Sequence, residues 1–467
     1  MKKTTIYITA GILAIFGFQS CEKDFLQKDP ISSALPEQMN TAEGLLQGAY
    51  DNLYDEYYTM DFLVNSDVMA DNCYAGGDNP GMISIDKYDV ISTNSILTRD
   101  WDYLYTDIKN CNIVLSFVPE MKDPNLTDER RNEILGEASA LRAWHYFNLI
   151  RTWKEVPIVT TVPSSVEGMF VSKKPAEDVY AQIISDLEFA LPKVKTTGAN
   201  KGVITKGVVN ALLAKVYAQK PNPDWAKVVQ YCDAVKALGY DLVPDYASLY
   251  QTSGENNVES IWETQNDGVV HQNWITGMVT PWMWGDWKKF AIPTHNLVKA
   301  FNDEGDNVRK NASIRYVNTS WNDDYWTQPV PVINKYPDPD GKSNTYRLRY
   351  ADIVLLKAEA LTELNQLSDT ENGAQFYVNK VRNRVGLAKT TATTQAALRL
   401  AIEKERQLEL AFEGHRMYDL IRTNRAVAVM NAQKDGNNNP ITYNVTDAKL
   451  YFPISQKEVD ANPNINK

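Results

Sequence analysis

Between residues 128 and 153, apolar side chains recur every three or four positions, at Ala138, Leu141, Ala143, Trp144, Phe147 and Ile150. That is the period of a helix, not of a strand. Gly136, Ala138, Ala140 and Ala143 are small, and apolar residues occupy more than one side. A neighbouring helix can therefore approach closely, and the segment is expected to lie buried between others. Further helices are predicted over 41–57, capped by Asn40 or Thr41, and over 99–120, ending near Pro119. The same period places helices at 176–190, 206–219 and 224–238. Lys220-Pro221-Asn222-Pro223 joins the last two, and so short a connection makes them antiparallel neighbours. The alternation of small and large residues in 211–218 returns in 351–361, which a second helix at 372–386 follows. These read as degenerate helical-hairpin repeats of the tetratricopeptide type.

Three stretches break the pattern. Residues 22–40 read as an extended polar leader, and 71–95, rich in Asp, Asn and Gly, as loop. From 240 to 345 the helical period fades except near 293–302, yet seven of the eleven tryptophans lie there. Disordered segments are poor in aromatics, so a long irregular stretch with this composition points to function. The expected fold is mostly α: a tetratricopeptide-like hairpin scaffold interrupted by a long loop-rich, Trp-rich insertion. Its parts are 21–240, the insertion 241–345, and 346–467, together one structural domain.

The first 20 residues have a different character. Lys2 and Lys3 precede 13 uncharged residues, Ile6 to Phe18. That is the length of a signal-peptide core and too short to span a bilayer. Ser20 stands directly before Cys21, as in a lipoprotein processing site, so Cys21 is predicted to be the lipidated first residue of the mature chain. Each buried methylene adds about 0.8 kcal/mol to attachment, and more than one chain makes a durable tether. The membrane is thus expected to be engaged through the lipid anchor only. Without residues 1–20, which carry two lysines and no acid, the net charge moves from −11 to −13. Nucleic acid and anionic headgroups are disfavoured partners for such a chain. The remaining Cys73, Cys111 and Cys232 are odd in number, so disulfides do not frame the fold, although one Cys73–Cys111 bridge stays open.

Signatures of common catalytic sites are absent: no His-Glu-x-x-His, Gly-x-Ser-x-Gly or P-loop occurs. His145 and His415 read as packed core residues. Glu405, Glu409 and Glu413, with Arg416 beyond, fit helical ion pairing better than catalysis. Asp338-Pro339-Asp340-Gly341 lacks the spacing of a calcium loop and reads as a turn.

Four words in the last third carry a resemblance. They are Leu348-Arg349-Tyr350-Ala351-Asp352 running on to Ala360, Val378-Asn379-Lys380-Val381-Arg382-Asn383-Arg384, Glu403 to Arg416 continuing into Asp419-Leu420-Ile421-Arg422, and Phe452-Pro453-Ile454 followed by Asp460-Ala461-Asn462-Pro463. Upstream, Gly136-Glu137-Ala138 and Leu141-Arg142-Ala143-Trp144 match as well. Over essentially the whole mature chain the sequence resembles the SusD/RagB family of outer-membrane lipoproteins. The resemblance implies a cell-surface protein that captures a nutrient, most often an oligo- or polysaccharide. It implies delivery to a SusC-like TonB-dependent transporter, with no catalytic activity and no cofactor. Two readings stay open beside it: a peptide or glycoprotein cargo, with the protein acting mainly as a lid, and, remotely, a glycoside hydrolase.

The family's site is formed by loops after the first helix together with the middle insertion. In the early loop this implicates Asn72, Tyr74 and Asp78. In the insertion the candidates are Trp274, Trp282, Trp284, Asp286, Trp287 and Trp321. A flat indole covers the apolar C–H face of a sugar, and short polar neighbours satisfy its hydroxyl rim. Some of these tryptophans are expected in the core, where Trp mostly resides.

Overall fold

In the computed structural model, residues 41–279, 289–320 and 323–467 are described. Thr41 accepts from the Gly44 N–H at 3.1 Å and starts α1 (Ala42–Asp51). This helix stops short of residue 57. A 3₁₀ turn (Asn52–Tyr54) and two π-helical turns (Tyr57–Asp61, Val64–Val68) continue the chain. The loop expected over 71–95 holds two regular elements, β1 (Cys73–Tyr74) and α2 (Pro80–Asp86). Asn79 caps α2 by accepting from Gly81 and Met82, and Pro80, which has no N–H to leave unpaired, occupies its first turn.

α3 (Ser95–Phe117) and α4 (Asp128–Trp153) follow. Thr127 caps α4, Asp128 and Glu129 complement its N-terminal dipole, and Lys154 at φ +68° ends it. α4 packs against α3 and against α5 (Ala176–Ala190), so nearly every residue from Glu133 onward is buried. Gly136 permits the approach, because a Cβ there would lie 2.9 Å from the Lys193 side chain and 3.0 Å from that of Val194. α6 (Lys206–Gln219) and α7 (Trp225–Ala237) form the first hairpin. β2 (Ser260–Thr264), in the insertion, is entirely buried. β3 (Ile292–Pro293), α8 (His295–Glu304) and α9 (Asn307–Ser313) come next. β4 (Thr345–Arg349) pairs antiparallel with β2, with Trp262 opposite Leu348. α10 (Tyr350–Glu363) and α11 (Ala374–Arg384) are the second hairpin, and α10 packs on both α6 and α7. The two repeat-like hairpins therefore share one core. α12 (Gln395–Glu409) and α13 (Arg416–Arg422) close it. Cys73, Cys111 and Cys232 are three separate buried thiols.

Charged groups are built into this core. Arg349 donates to Glu259, Glu409 and Glu413; Arg384 to Glu259 and Glu409; Arg309 to Glu405 and Glu409. Lys335 reaches Glu413 at 2.6 Å. Burial pushes the Glu413 carboxyl up, but Arg349 and Lys335 outweigh it and hold it at about 2. The glutamates are thus structural, as expected, but their partners come from distant segments and not from neighbouring helical turns. Glu413 itself lies past the end of α12. His145 is fully buried, and burial holds it neutral at about 3, while its Nδ1 meets the Tyr58 hydroxyl at 2.7 Å. His415 is half-buried and sits at the cap of α13, not within a helix. Asp338 accepts from the backbone N–H groups of Asp340 and Lys342, which makes that segment a turn.

Candidate ligand-binding site

The early loop and the insertion meet through β1 and β3, where Cys73 faces Pro293 and Tyr74 faces Ile292. Thr294 fixes the junction. Its hydroxyl donates to the Asp71 carbonyl at 2.6 Å and caps α8 by accepting from Leu297 N–H, and its own N–H donates to the Asn72 carbonyl. This sets Tyr74 and His295, the first residue of α8, beside Tyr325 and Trp326. Tyr325 stacks on Tyr74 with ring centroids 4.1 Å apart, and the His295 and Trp326 rings lie 3.5 Å apart. Trp326 Nε1 donates to the Pro293 carbonyl at 2.9 Å. His295 Nε2 lies 2.8 Å from the Tyr325 carbonyl, so it is the nitrogen that carries the proton.

Polar groups ring these aromatics. The Tyr74 hydroxyl donates to Asp323, and burial first, then that carboxylate, pushes Tyr74 up so that it stays protonated. On the far side, Gly436 approaches His295 so closely that a Cβ there would lie 2.6 Å from Nε2. It belongs to the turn Lys434–Pro440, which Asp435 organises by accepting from the N–H groups of Asn437 and Asn439. The Asn439 amide and those N–H groups hold Asp435 below the usual carboxylate range. Asn437, Asn438 and Asn439 are exposed. Half-buried Tyr325 and Trp326, flanked by Asp323 and an Asn-rich turn, can offer a flat apolar face next to short hydrogen-bonding groups.

Tyr74 is in this cluster, but only 5% exposed, so it supports Tyr325 from beneath. Asn72 is not a surface ligand group. It is 1% exposed, donates to Asp67, and accepts from Gln407, because the turn ahead of β1 is locked to the C-terminal half. Asp78 is exposed beside the cap of α2. Trp274 is 40% exposed, ahead of the short helix Ile275–Val279. Trp262 is core: its ring meets Trp144 edge-on and its Nε1 donates to the Gly202 carbonyl. Trp282, Trp284, Asp286, Trp287, Trp321 and Cys21 lie outside the described residues. His295, Tyr325 and Trp326 were not singled out from the sequence. Asp323-Asp324-Tyr325-Trp326 carries the same signal as the run around Trp284, aromatics beside acids. Among the described residues no group of His, Cys, Asp and Glu could hold a metal ion, and no helix is long and apolar enough to cross a membrane.

The architecture is a helical-hairpin scaffold that carries an aromatic and acidic surface on its inserted segments. The chain belongs to the SusD family, whose model matches residues 244–467. A second model, described as "Starch-binding associating with outer membrane", matches residues 24–218. A SusD-like protein of Bacteroides ovatus is 23% identical, over 97% of this chain and 88% of its own. One from Formosa agariphila is 27% identical over 100% and 99%. Among solved structures, a laminarin-binding SusD-like protein is 24% identical with a TM-score of 0.76, covering 91% of this chain and 97% of its own. Surface glycan-binding protein A from Bacteroides thetaiotaomicron, in complex with laminarihexaose, is 23% identical with a TM-score of 0.75 over 91% and 97%.

Proposed function

We propose that this protein is a non-catalytic, lipid-anchored protein of the outer-membrane surface that captures an oligo- or polysaccharide and passes it to a SusC-like TonB-dependent transporter. The observation that carries this reading is the Tyr325–Trp326 pair, braced by Tyr74 and His295 and bordered by Asp323 and Asp435–Asn439. A sugar ring stacks on such a pair through its C–H face and gives its hydroxyls to the carboxylates and amides around it. Asp78, Trp274, Trp321 and the run Trp282, Trp284, Asp286 and Trp287 are further candidate ligand contacts in this reading. The Cys21 lipid keeps the captured glycan at the membrane, where a freely diffusing binder would carry it away.

Calorimetric titration of the mature protein against a polysaccharide panel tests this, with laminarin first, because a laminarin-binding SusD-like protein shares the fold and a surface glycan-binding protein of the same fold is solved with laminarihexaose. Trp326→Ala is expected to weaken the binding found by about tenfold or more, corresponding to about 1.4 kcal/mol. Silence across the panel, or unchanged affinity in Trp326→Ala together with the Trp274 and Trp284 alanine variants, removes the assignment of this site. Co-purification with a transporter but without glycan binding favours the lid reading instead. Turnover of a bound glycan overturns the non-catalytic reading.

A further inference from the structure

Two buried arginines lack the carboxylate partners that the other deeply buried arginines among the described residues possess. Arg151, on α4, is 7% exposed, and Arg347, on β4, is 6% exposed. Neither has a carboxylate within ion-pair distance among the described residues, whereas Arg309, Arg349, Arg406, Arg416 and Arg422 each do. Arg151 donates from Nε to the Phe147 carbonyl and from Nη2 to Asn148. Arg347 donates from Nε to the Thr264 hydroxyl at 2.7 Å and from Nη2 to the Leu53 carbonyl at 3.5 Å. The Nη1 nitrogen of each has no hydrogen-bond acceptor among the described residues. Burial pulls the Arg347 guanidinium down to about 10, which leaves it charged at neutral pH. Its cation therefore needs compensation from somewhere.

Both side chains line one cavity of about 20 Å³, where α4, β4 and the turn before α13 meet. Lys215 also lines it, already paired with Asp352. The one lining carboxylate, Glu413, is likewise taken by Arg349 and Lys335. His415, also at its wall, is neutral at physiological pH, since burial first and then Lys215 hold it at about 3. The lining thus carries two guanidinium charges with no counter-charge. Ring faces take up part of the cost, with Arg151 4.1 Å from the Tyr418 centroid and Arg347 5.1 Å from that of Phe62. They do not neutralise it, and an uncompensated buried charge is strongly unfavourable. The space admits one particle about the size of a water molecule. Phosphate, sulfate and carboxylate ligands are too large.

We propose that this cavity is a structural site for a single halide ion, chloride under physiological conditions, held between the guanidinium groups of Arg151 and Arg347. The ion ties α4 to β4 at the centre of the scaffold. The site is independent of glycan capture and of the aromatic surface.

Crystals of the mature chain grown in sodium bromide at physiological halide concentration test it by anomalous scattering. One bromide peak in the cavity, within hydrogen-bonding distance of both arginines, is the expected result. In parallel, the melting midpoint is followed in sodium chloride and in sodium gluconate at matched ionic strength, because gluconate cannot enter. Once the site begins to fill, each tenfold rise in chloride is expected to raise the midpoint by about 1–2 °C over gluconate. Arg347→Met, which keeps the length and removes the charge, is expected to lose that difference. Water in place of bromide, or a peak that forms only at molar bromide, overturns the proposal. So do superimposable melting series in the two salts. If Arg347→Met does not fold, bromide in the unaltered chain decides.

Discussion

Arg349→Met is expected to lower unfolding free energy at pH 7 by about 3–5 kcal/mol, read from urea denaturation. Arg349 ends β4, is 2% exposed, and gives its donors to Glu259, Glu409 and Glu413 and to the Glu409 carbonyl. Methionine fills similar space without a charge, so the loss comes from the carboxylates left behind and not from a cavity. Arg384, Arg309, Lys335 and Arg382 remain, four cations that cannot balance the five carboxylates Glu259, Glu405, Glu409, Glu413 and Asp306. The pH dependence fixes the cause. Glu413 sits at about 2 in the fold against an ordinary 4.5, so it contributes stability that is complete above 4.5 and is lost as pH falls through about 2. That contribution, about 3 kcal/mol at 1.36 per pH unit, requires the arginine. The gap between the two proteins should therefore narrow steadily below pH 4.5. By contrast, Arg399→Ala removes a pair with Glu363 at a half-exposed side chain and should cost less than about 1 kcal/mol. Equal losses in the two variants, or a gap that does not depend on pH, would remove the network from any account of this protein's stability.

The helices that were legible are those whose ends carry their own punctuation. Residues 128–153, 176–190 and 206–219 come out at the same boundaries in the fold. Thr127 caps the first, Pro175 precedes the second, and Lys220-Pro221 stops the third. α2 was readable too, since Asn79-Pro80 is a helix start, but the surrounding Asp, Asn and Gly outweighed it as loop composition. The break after Asp51 was not readable. The 3₁₀ and π turns that follow, with Tyr57–Asp61 buried on every side, are set by packing against the rest of the fold and leave no local period to read. Glu405 and Glu409 show the same limit. Their spacing suits local pairing, and only the assembled fold brings Arg309, Arg349 and Arg384 to them from 25 to 100 residues away. For the candidate site the two contributing regions were legible through the family words. The pairing of Tyr74 with Tyr325 was not, because contacts 249 residues apart, such as Tyr74 to Asp323, leave no trace in a single chain's periodicity.

Asp100→Asn is expected to stabilise the protein at pH 7.5 and to leave it unchanged or weaker at pH 4. Asp100 and Asp107 lie one seven-residue step apart on α3 and face Asp61 and Asp55 from the irregular segment after α1. Asp61 and Asp100 are both fully buried. Arg99 pairs with Asp61 and Glu56, and the Asn65 amide donates to Asp100 at 2.7 Å. One cation and one amide do not balance two buried carboxylates side by side, so the pair keeps a proton. Burial, against the pull of Arg99, raises Asp61 to about 6, and burial together with Asp61 raises Asp100 well above the usual range. A carboxyl raised in the fold acts in the opposite sense to Glu413. Its contribution is complete below the unfolded value of 3.8 and is lost as pH rises through the folded value. For Asp61 that loss amounts to about 3 kcal/mol between pH 4 and 6. The Asp55–Asp107 pair adds to it in the same direction, discounted because Asp55 is half-exposed. In Asp100→Asn the new amide nitrogen donates to Asp61, while the amide oxygen still accepts from Asn65. The cost of keeping Asp100 protonated, which the fold imposes by raising its carboxyl, then disappears, so the decline above pH 4 should be shallower, while the share of Asp61, set by its own burial, remains. Urea midpoints at pH 4, 6 and 7.5 measure this, with a gain of about 1–3 kcal/mol expected at 7.5. A loss at pH 7.5 would mean that the second carboxylate is needed as an anion, balanced by Arg99 alone.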